Sequence, residues 1–294
     1  MPSPAAPSAR RIHIIALGGT IAMTRSTGGG VAPQLTARDL ITLSLIHISE
    51  PTRLQGTDTL EETAYLLDLL YHGEAPVVLT GAMRNPTMAG ADGPANLLAA
   101  VRTAASPEAR SRGVLAVFAD EIHTARHVRK VHSTSIGAFA SPNAGPVGHV
   151  IEDSVRFHFS AERSTGSLSP FCRPADVEIV EASLGSSGVL LDGLEGHVDG
   201  VVVAAFGAGH LPATWVNRIE KIASSIPVVL ATRTGAGSVL TSTYTFAGSE
   251  QDLLGRGVIR AGSLDARKAR LLLLAHLRAG SDREAIVNAF APYC

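Results

Sequence analysis

Apolar and polar positions alternate along this chain in two rhythms, short apolar runs and longer amphipathic stretches. The first run, Ile12–Ala22, is nearly apolar on both faces, which suits a strand buried in a parallel sheet. It breaks at Gly18-Gly19 and passes at once to a hydroxyl, Thr20. Glycines there let the backbone turn sharply, and Thr20 falls at the carboxyl end of the strand, where open α/β sheets place their ligand crevice. The Gly-rich Thr24–Val31 reads as either a lid or a slack connection, and Thr36–Leu45 as a helix. Thr59-Leu60-Glu61-Glu62 has the form of a capping box. It opens a helix with Leu60, Ala64, Leu67 and Tyr71 on one face, closed by Gly73 and Pro76.

Further on, Pro76–Thr80 is predicted as a strand, Gly81–Gly90 as a loop, and Asp92-Gly93-Pro94 as the cap of a helix running to about Ala104. Leu97, Leu98 and Val101 face inward on that helix. Gly113–Phe118 is a strand ending at Asp120, and Arg129–Phe159 a hairpin excursion. Residues 161–175 are polar and broken by prolines, which predicts a linker. Beyond it, the strands Gly200–Phe206 and Ile226–Thr232 alternate with the helices Pro212–Ser224, Leu264–Leu277 and Asp282–Phe290. The expectation is an α/β protein of two domains with mainly parallel sheets, a larger one at 1–160 and a smaller one at 176–294.

One stretch breaks the pattern. The helix opened at Thr59 calls for a buried strand before it, yet Ser49-Glu50-Pro51-Thr52-Arg53 is charged, and Pro51 cannot donate to a central ladder. Local and global patterns conflict there, which is unexpected in a natural sequence. Taken literally, the segment predicts a sheet lacking a central strand, with ladder groups left unpaired and a chain that folds poorly or is inactive.

Composition narrows the function classes. With 294 residues, 45% of them hydrophobic, the chain can bury a substantial core. A net charge of −1 from 25 basic and 26 acidic residues offers no polyanion-binding surface, so no nucleic acid partner is expected. Cys172 and Cys294 cannot form a disulfide framework and fit a reducing compartment. Neither a signal-peptide pattern nor a membrane-length apolar run is present, so a cytoplasmic protein is expected. No nucleophile elbow, P-loop, complete dinucleotide fingerprint or Cys-x-x-Cys occurs. His123, His127 and His132 lack the glutamate and the helix of a zinc protease motif, so neither metal nor cofactor is expected.

What remains is a set of hydroxyls and charges at strand ends: Thr20, Thr57-Asp58 and Lys130, with Glu250 in a late loop. A threonine hydroxyl is a weak nucleophile that needs a partner to take its proton. A lysine supplies one when desolvation or a nearby cation favours its neutral form, and a carboxylate can orient that lysine or bind a substrate ammonium. Gly-rich turns can present backbone donors to a developing oxyanion. Singly, each residue also has an ordinary reading: Thr57 a turn hydroxyl, Asp58 a charge near a helix start, Lys130 a solvated hairpin charge, Glu250 a loop carboxylate.

Taken in order, Leu17-Gly18-Gly19-Thr20-Ile21-Ala22, Gly56-Thr57-Asp58-Thr59 with Glu61-Glu62-Thr63-Ala64, and Thr80-Gly81-Ala82-Met83-Arg84 with Ala91-Asp92-Gly93-Pro94 resemble the L-asparaginase/glutaminase family. So do Val128-Arg129-Lys130, Gly207-Ala208-Gly209, and Gly262-Ser263-Leu264 with Lys268-Ala269-Arg270. The resemblance covers nearly the whole chain outside about Thr24–Leu54. It implies a hydrolase of the asparagine side-chain amide, acting through an acyl-enzyme on Thr20, with glutamine a lesser substrate. It also implies that Thr57 is a second catalytic threonine paired with Lys130, and that Asp58 holds the substrate ammonium. Gly19 and Gly56 would line the substrate site. Glu250 would reach a neighbouring subunit's site, beside His210, within a homodimer or homotetramer. The same domain serves the amidase subunit of a tRNA-dependent amidotransferase, which carries an additional N-terminal domain that this chain lacks.

The chain departs from that pattern between Ile21 and Gly56. The family's carboxylate-binding serine, its lid tyrosine and its histidine before Gly-Thr-Asp (here Gln55) are absent. Ser44–Arg53 looks like the translation of a sequencing-adapter read, an artefact that would have replaced a genuine segment. The alternative is therefore a catalytically impaired asparaginase-like chain.

Overall fold

The structure is a computed structural model that describes residues 14–16, 23–25, 31–33, 52–54, 56–160 and 168–294. The chain divides into two units, Met1–Ser164 and Thr165–Cys294, each with its own sheet.

In the first unit, β1 (Ile14–Ala16), β4 (Thr52–Leu54), β5 (Val77–Thr80) and β6 (Val114–Phe118) run parallel in that spatial order. The sheet then turns antiparallel through β7 (Glu121–Thr124), β10 (Gly148–Ile151) and β11 (Ser154–Phe157). Every residue of β6 is buried, as a strand covered on both faces must be. The helices α1 (Leu60–Leu70) and α2 (Gly93–Ala105) bury their apolar stripes against it. Leu60 and Ala64 are fully covered, with Leu67 and Tyr71 packed at the margin. On α2, Leu97 and Val101 are buried and Leu98 only half so.

Two expectations are corrected. A central strand does exist before Gly56: the backbone of Thr52–Leu54 pairs with β1 (Ile14↔Thr52, Ala16↔Leu54) and with β5 (Thr52↔Val78, Leu54↔Thr80). The ladder starts one residue beyond Pro51, so the missing N–H of the proline is not required of it. The Gly-rich stretch is no slack connection at its ends, because β2 (Met23–Arg25) and β3 (Val31–Pro33) form an antiparallel pair. The helix expected at Thr36–Leu45 lies outside the described residues.

The strand ending near Asp120 continues into a hairpin. Ala119 and Asp120 both take positive φ, 49° and 62°, the geometry of a two-residue turn matched to strand twist. Asn96 Oδ1 accepts the Ala119 N–H at 3.0 Å and steadies it. Between β7 and β10 lies a shorter ribbon, β8 (Arg129–Lys130) paired with β9 (Phe139–Ala140). Phe139 stacks on Phe118, ring centroids 4.0 Å apart at 17°. Val128, Ala138 and Phe139 thereby join the same apolar cluster as Leu60, Ala64 and Leu79.

In the second unit β12 (Val177–Glu181), β13 (Gly200–Ala205), β14 (Val228–Thr232) and β15 (Ile259–Arg260) form a wholly parallel sheet. It carries the helices α3 (Val216–Ala223), α4 (Glu250–Gly255), α5 (Ala266–Arg278) and α6 (Arg283–Phe290). Asp265 and Asp282 cap α5 and α6 by accepting backbone N–H bonds in their first turns. After β13 the chain doubles back at Gly207–Gly209. Gly209 has φ +113°, and a Cβ there would stand 2.8 Å from Val239 Cγ1, so only glycine fits.

His123 on β7 is fully buried, with its Nδ1 3.0 Å from Ser141 Oγ. Its Nε2 lies 3.2 Å from Glu121 Oε2 but out of line for a hydrogen bond. Burial, aided by nearby His149, pushes its pKa down to about 4. In the unfolded chain the imidazole titrates at its ordinary 6.5, so between 6.5 and about 4 the unfolded state binds the extra proton. This contribution is complete above pH 6.5 and lost as the pH falls towards 4. Its size is about 3 kcal/mol. Urea unfolding across that range is expected to show stability falling with acidification, with a shallower slope for His123→Gln. Equal slopes would remove His123 as the cause.

Candidate active site

The candidate site is built where β4 gives way to α1. Gly56, Thr57 and Asp58 fill the turn between them, so a hydroxyl and a carboxylate follow directly on the carboxyl end of a central parallel strand. Thr57 is 5% exposed, whereas the Asp58 side chain is 95% exposed. One face of the pair is closed by protein and the other is open.

Lys130 reaches this turn from β8. Its Nζ donates to Thr57 Oγ1 at 3.0 Å and to Asp58 Oδ1 at 2.9 Å, across 73 and 72 residues of sequence. The Lys130 side chain is only 15% exposed. Its backbone is held as well, since the Lys130 N–H donates to Glu61 Oε2, from a carboxylate that is itself 1% exposed. Such an arrangement can pass a proton between a threonine hydroxyl and an amine. The Asp58 carboxylate accepts from the amine through Oδ1, and its side chain is otherwise exposed, so it can also take a substrate cation.

Next to it, the loop after β5 is pinned by Asp92. Its carboxylate accepts the N–H of Met83 (3.0 Å) and of Arg84 (2.8 Å), and it takes the Asn96 side-chain amide at 3.0 Å. Asn96 also donates to Gly81 O at 3.0 Å. Asp92 therefore does not cap α2 with its side chain as the sequence predicted, because its carboxylate is taken up by this loop. The capping box at Thr59 is likewise not made. Thr59, the N-cap residue, forms no side-chain cap bond.

Within the second unit, Glu250 is the first residue of α4, which Ser249 caps. The carboxylate is fully buried. Its Oε1 accepts the N–H of Thr243 (2.9 Å) and of Tyr244 (2.8 Å), and its Oε2 lies 3.2 Å from His210 Nε2. Burial pushes this carboxyl up, but the hydrogen bonds from Tyr244, Thr243 and His210 outweigh it and hold the group below the usual carboxylate range. Tyr244 and Phe246 pack edge-on to the His210 ring, centroids 4.8 and 5.1 Å away. Glu250 is thus a buried anchor of its loop at the start of α4, more than the plain loop carboxylate of the ordinary reading.

Of the residues singled out in the sequence, Thr57, Asp58 and Lys130 come together, with Gly56 in the same turn. Thr20 and Gly19 lie outside the described residues. The sequence reading missed Glu61 as a partner of Lys130. A signal was present: Glu61 sits on the buried stripe of α1 with Leu60, Ala64, Tyr65 and Asp68, where a carboxylate needs an internal donor. Among the described residues no cluster of His, Cys, Asp and Glu could hold a metal ion, and no helix is long and apolar enough to cross a membrane.

Comparison with known proteins follows the same geometry. Residues 54–163 match the family model described as "Asparaginase, N-terminal", and residues 176–290 match "Glutaminase/Asparaginase C-terminal domain". A "Probable L-asparaginase" of Deinococcus radiodurans is 37% identical over 316 residues, covering 95% of this chain and 97% of that protein. A "Probable L-asparaginase periplasmic" of Haemophilus influenzae is 36% identical, over 81% of this chain and 68% of its own length. The crystal structure of a "Probable Cytoplasmic L-asparaginase" from Campylobacter jejuni superposes with a TM-score of 0.85 at 30% identity, covering 97% of this chain and all of that one. Matches of this extent in both halves, on the fold and the turn just described, place the chain in the L-asparaginase family.

Proposed function

We propose that this chain hydrolyses the side-chain amide of L-asparagine to aspartate and ammonia through Thr20 as nucleophile, with Thr57, Lys130 and Asp58 as the proton-handling and substrate-binding group. The observation that carries the reading is the Lys130 amine, 3.0 Å from the Thr57 hydroxyl and held by Asp58. It is supported by the parallel pairing Ala16↔Leu54, which sets side by side the carboxyl ends of the strands leading to Thr20 and Thr57.

In the acylation step the Thr20 oxygen gives up its proton and bonds to the amide carbon, the C–N bond breaks, and the departing nitrogen takes that proton to leave as ammonia. Water then adds to the ester carbon, giving its proton through Thr57 to Lys130. The ester C–O bond breaks as Lys130 returns that proton through Thr57 to the Thr20 oxygen, restoring both groups. Accepting that proton requires the hydrogen bond to run from the threonine O–H to Nζ, the reverse of the direction in which Nζ donates to Thr57 in the structure. Asp58 binds the substrate ammonium with its outward face, and the Gly19 and Gly56 backbones supply donors to the oxyanion. Glutamine, one methylene longer, is a candidate second substrate, since a pocket discriminates one methylene by only about 1–3 kcal/mol.

Glu250 serves the site of a neighbouring subunit in a homodimer or homotetramer, through the loop it organises, and the protein works in the cytoplasm. The natural protein is longer than this chain. The alignment to the Deinococcus relative, at 316 residues, exceeds the 294 of the chain, and the N-terminal family match begins at residue 54, directly after the adapter-like segment.

Two measurements test these readings. Ammonia release from asparagine is expected to fall at least about 1,000-fold in Thr20→Ala. Activity retained in that variant would exclude Thr20 as the nucleophile. An independent read of the gene across the codons from Leu40 to Asp58 is expected to reveal additional codons in place of the adapter-like segment Ser44–Arg53. A read reproducing Leu43–Leu54 unchanged would show that no segment has been replaced there.

A further inference from the structure

Glu61 occupies the second position of α1, where an acidic residue is ordinarily explained by the positive end of the helix dipole. That explanation asks for a solvated side chain, and the neighbouring Glu62, half-exposed, satisfies it. Glu61 instead is 1% exposed. A buried carboxylate is costly unless donors reach it, and one of its donors is the backbone N–H of Lys130, 69 residues away.

The consequence is geometric. Glu61 lies within one helical turn of Thr57 and Asp58, on the helix they introduce. The same short piece of chain therefore presents the hydroxyl, presents the carboxylate and grips the strand from which the amine extends. The Lys130 side chain touches Thr57 and Asp58 at its tip, while Glu61 fixes its root. Opposite Lys130 on the ribbon, Phe139 is stacked into the core, so the strand is fixed from its other side too. We infer that Glu61 is a positioning residue for the reaction. Its carboxylate oxygen sets the Lys130 backbone, and so the distance from the amine to Thr57. This rests on the assignment of Lys130 to proton transfer.

The test compares the parent chain with Lys130→Met, Glu61→Gln and Glu61→Met, by steady-state ammonia release, thermal melting, and hydrogen exchange at the Lys130 amide. Glutamine keeps an acceptor oxygen in the same place; methionine keeps the volume and removes it. A misplacement of about 1 Å can cost about 100-fold, so Glu61→Met is expected to lower kcat by about 10- to 100-fold, with KM changed by less than about threefold. Glu61→Gln is expected to stay within about threefold of the parent in both. Exchange at the Lys130 amide is expected to quicken about tenfold in Glu61→Met and to remain slow in Glu61→Gln. That readout holds whether or not the parent chain turns over asparagine.

A folded Glu61→Met with parental kcat and slow Lys130 exchange would overturn the inference, as would a Glu61→Gln no better than Glu61→Met. Variants that unfold before assay would make Glu61 a core-stabilising residue and equally overturn it. Full activity in Lys130→Met would instead remove the underlying assignment, a result distinguishable from the others.

Discussion

The contact of the Lys130 amine with Thr57 and Asp58 is the constraint on which the site depends, and it cannot hold itself in place. Ordering a lysine side chain costs up to about 2 kcal/mol of rotamer entropy. A carboxylate as exposed as Asp58 returns little through an ion pair. The balance is settled lower down, in the apolar cluster where Val128, Ala138 and Phe139 of the ribbon pack with Leu60 and Ala64 of α1. Full burial of one Val or Phe side chain is worth about 1.5–3 kcal/mol, so this cluster outweighs the cost of ordering one lysine. The hydrophobic core brings two distant pieces of chain together, and the polar contacts select their register.

The second unit solves a related problem with a different balance. Burying Glu250 would by itself favour the protonated acid, yet two backbone N–H groups and His210 favour the carboxylate strongly enough to win. The reward is order in the Thr243–Tyr244 segment, whose backbone would otherwise lack those partners. In both units a buried acid near the start of a helix organises backbone from elsewhere: Glu61 on α1 and Glu250 on α4. Sequence distance differs greatly between the two cases, and the fold therefore depends on them differently. Glu250 orders a neighbouring loop, while Glu61 ties α1 to the β8–β9 ribbon.

Much of this was legible in the order of residues. The alternation of apolar runs with amphipathic stretches gives both α/β units, because a strand buried on two faces and a helix buried on one leave different periodicities. The turn Gly56-Thr57-Asp58 stood out since hydroxyl and carboxylate follow a strand position directly. What remained hidden has physical causes. The strand at Thr52–Leu54 carries an arginine and follows a proline, so its composition opposed the assignment, but three residues between two willing neighbours suffice for a ladder. The turn at Ala119–Asp120 lacks the glycine that usually announces a positive φ. Asp92 and Glu61 both occupied positions where helix starts favour acids, but their carboxylates also take backbone N–H groups from outside the helix. A local motif states which bonds are available; packing decides which are made.

The central claim is that Thr57 and Lys130 act as one unit, and a double-mutant cycle in ammonia release from asparagine tests it most directly. Thr57→Val and Lys130→Met are measured singly and together, with folding verified for each. If the two form a single relay, the double variant is no more than about threefold slower than the slower single variant. If instead the two losses multiply, the hydroxyl and the amine act independently, and their 3.0 Å contact is not the working element of the site.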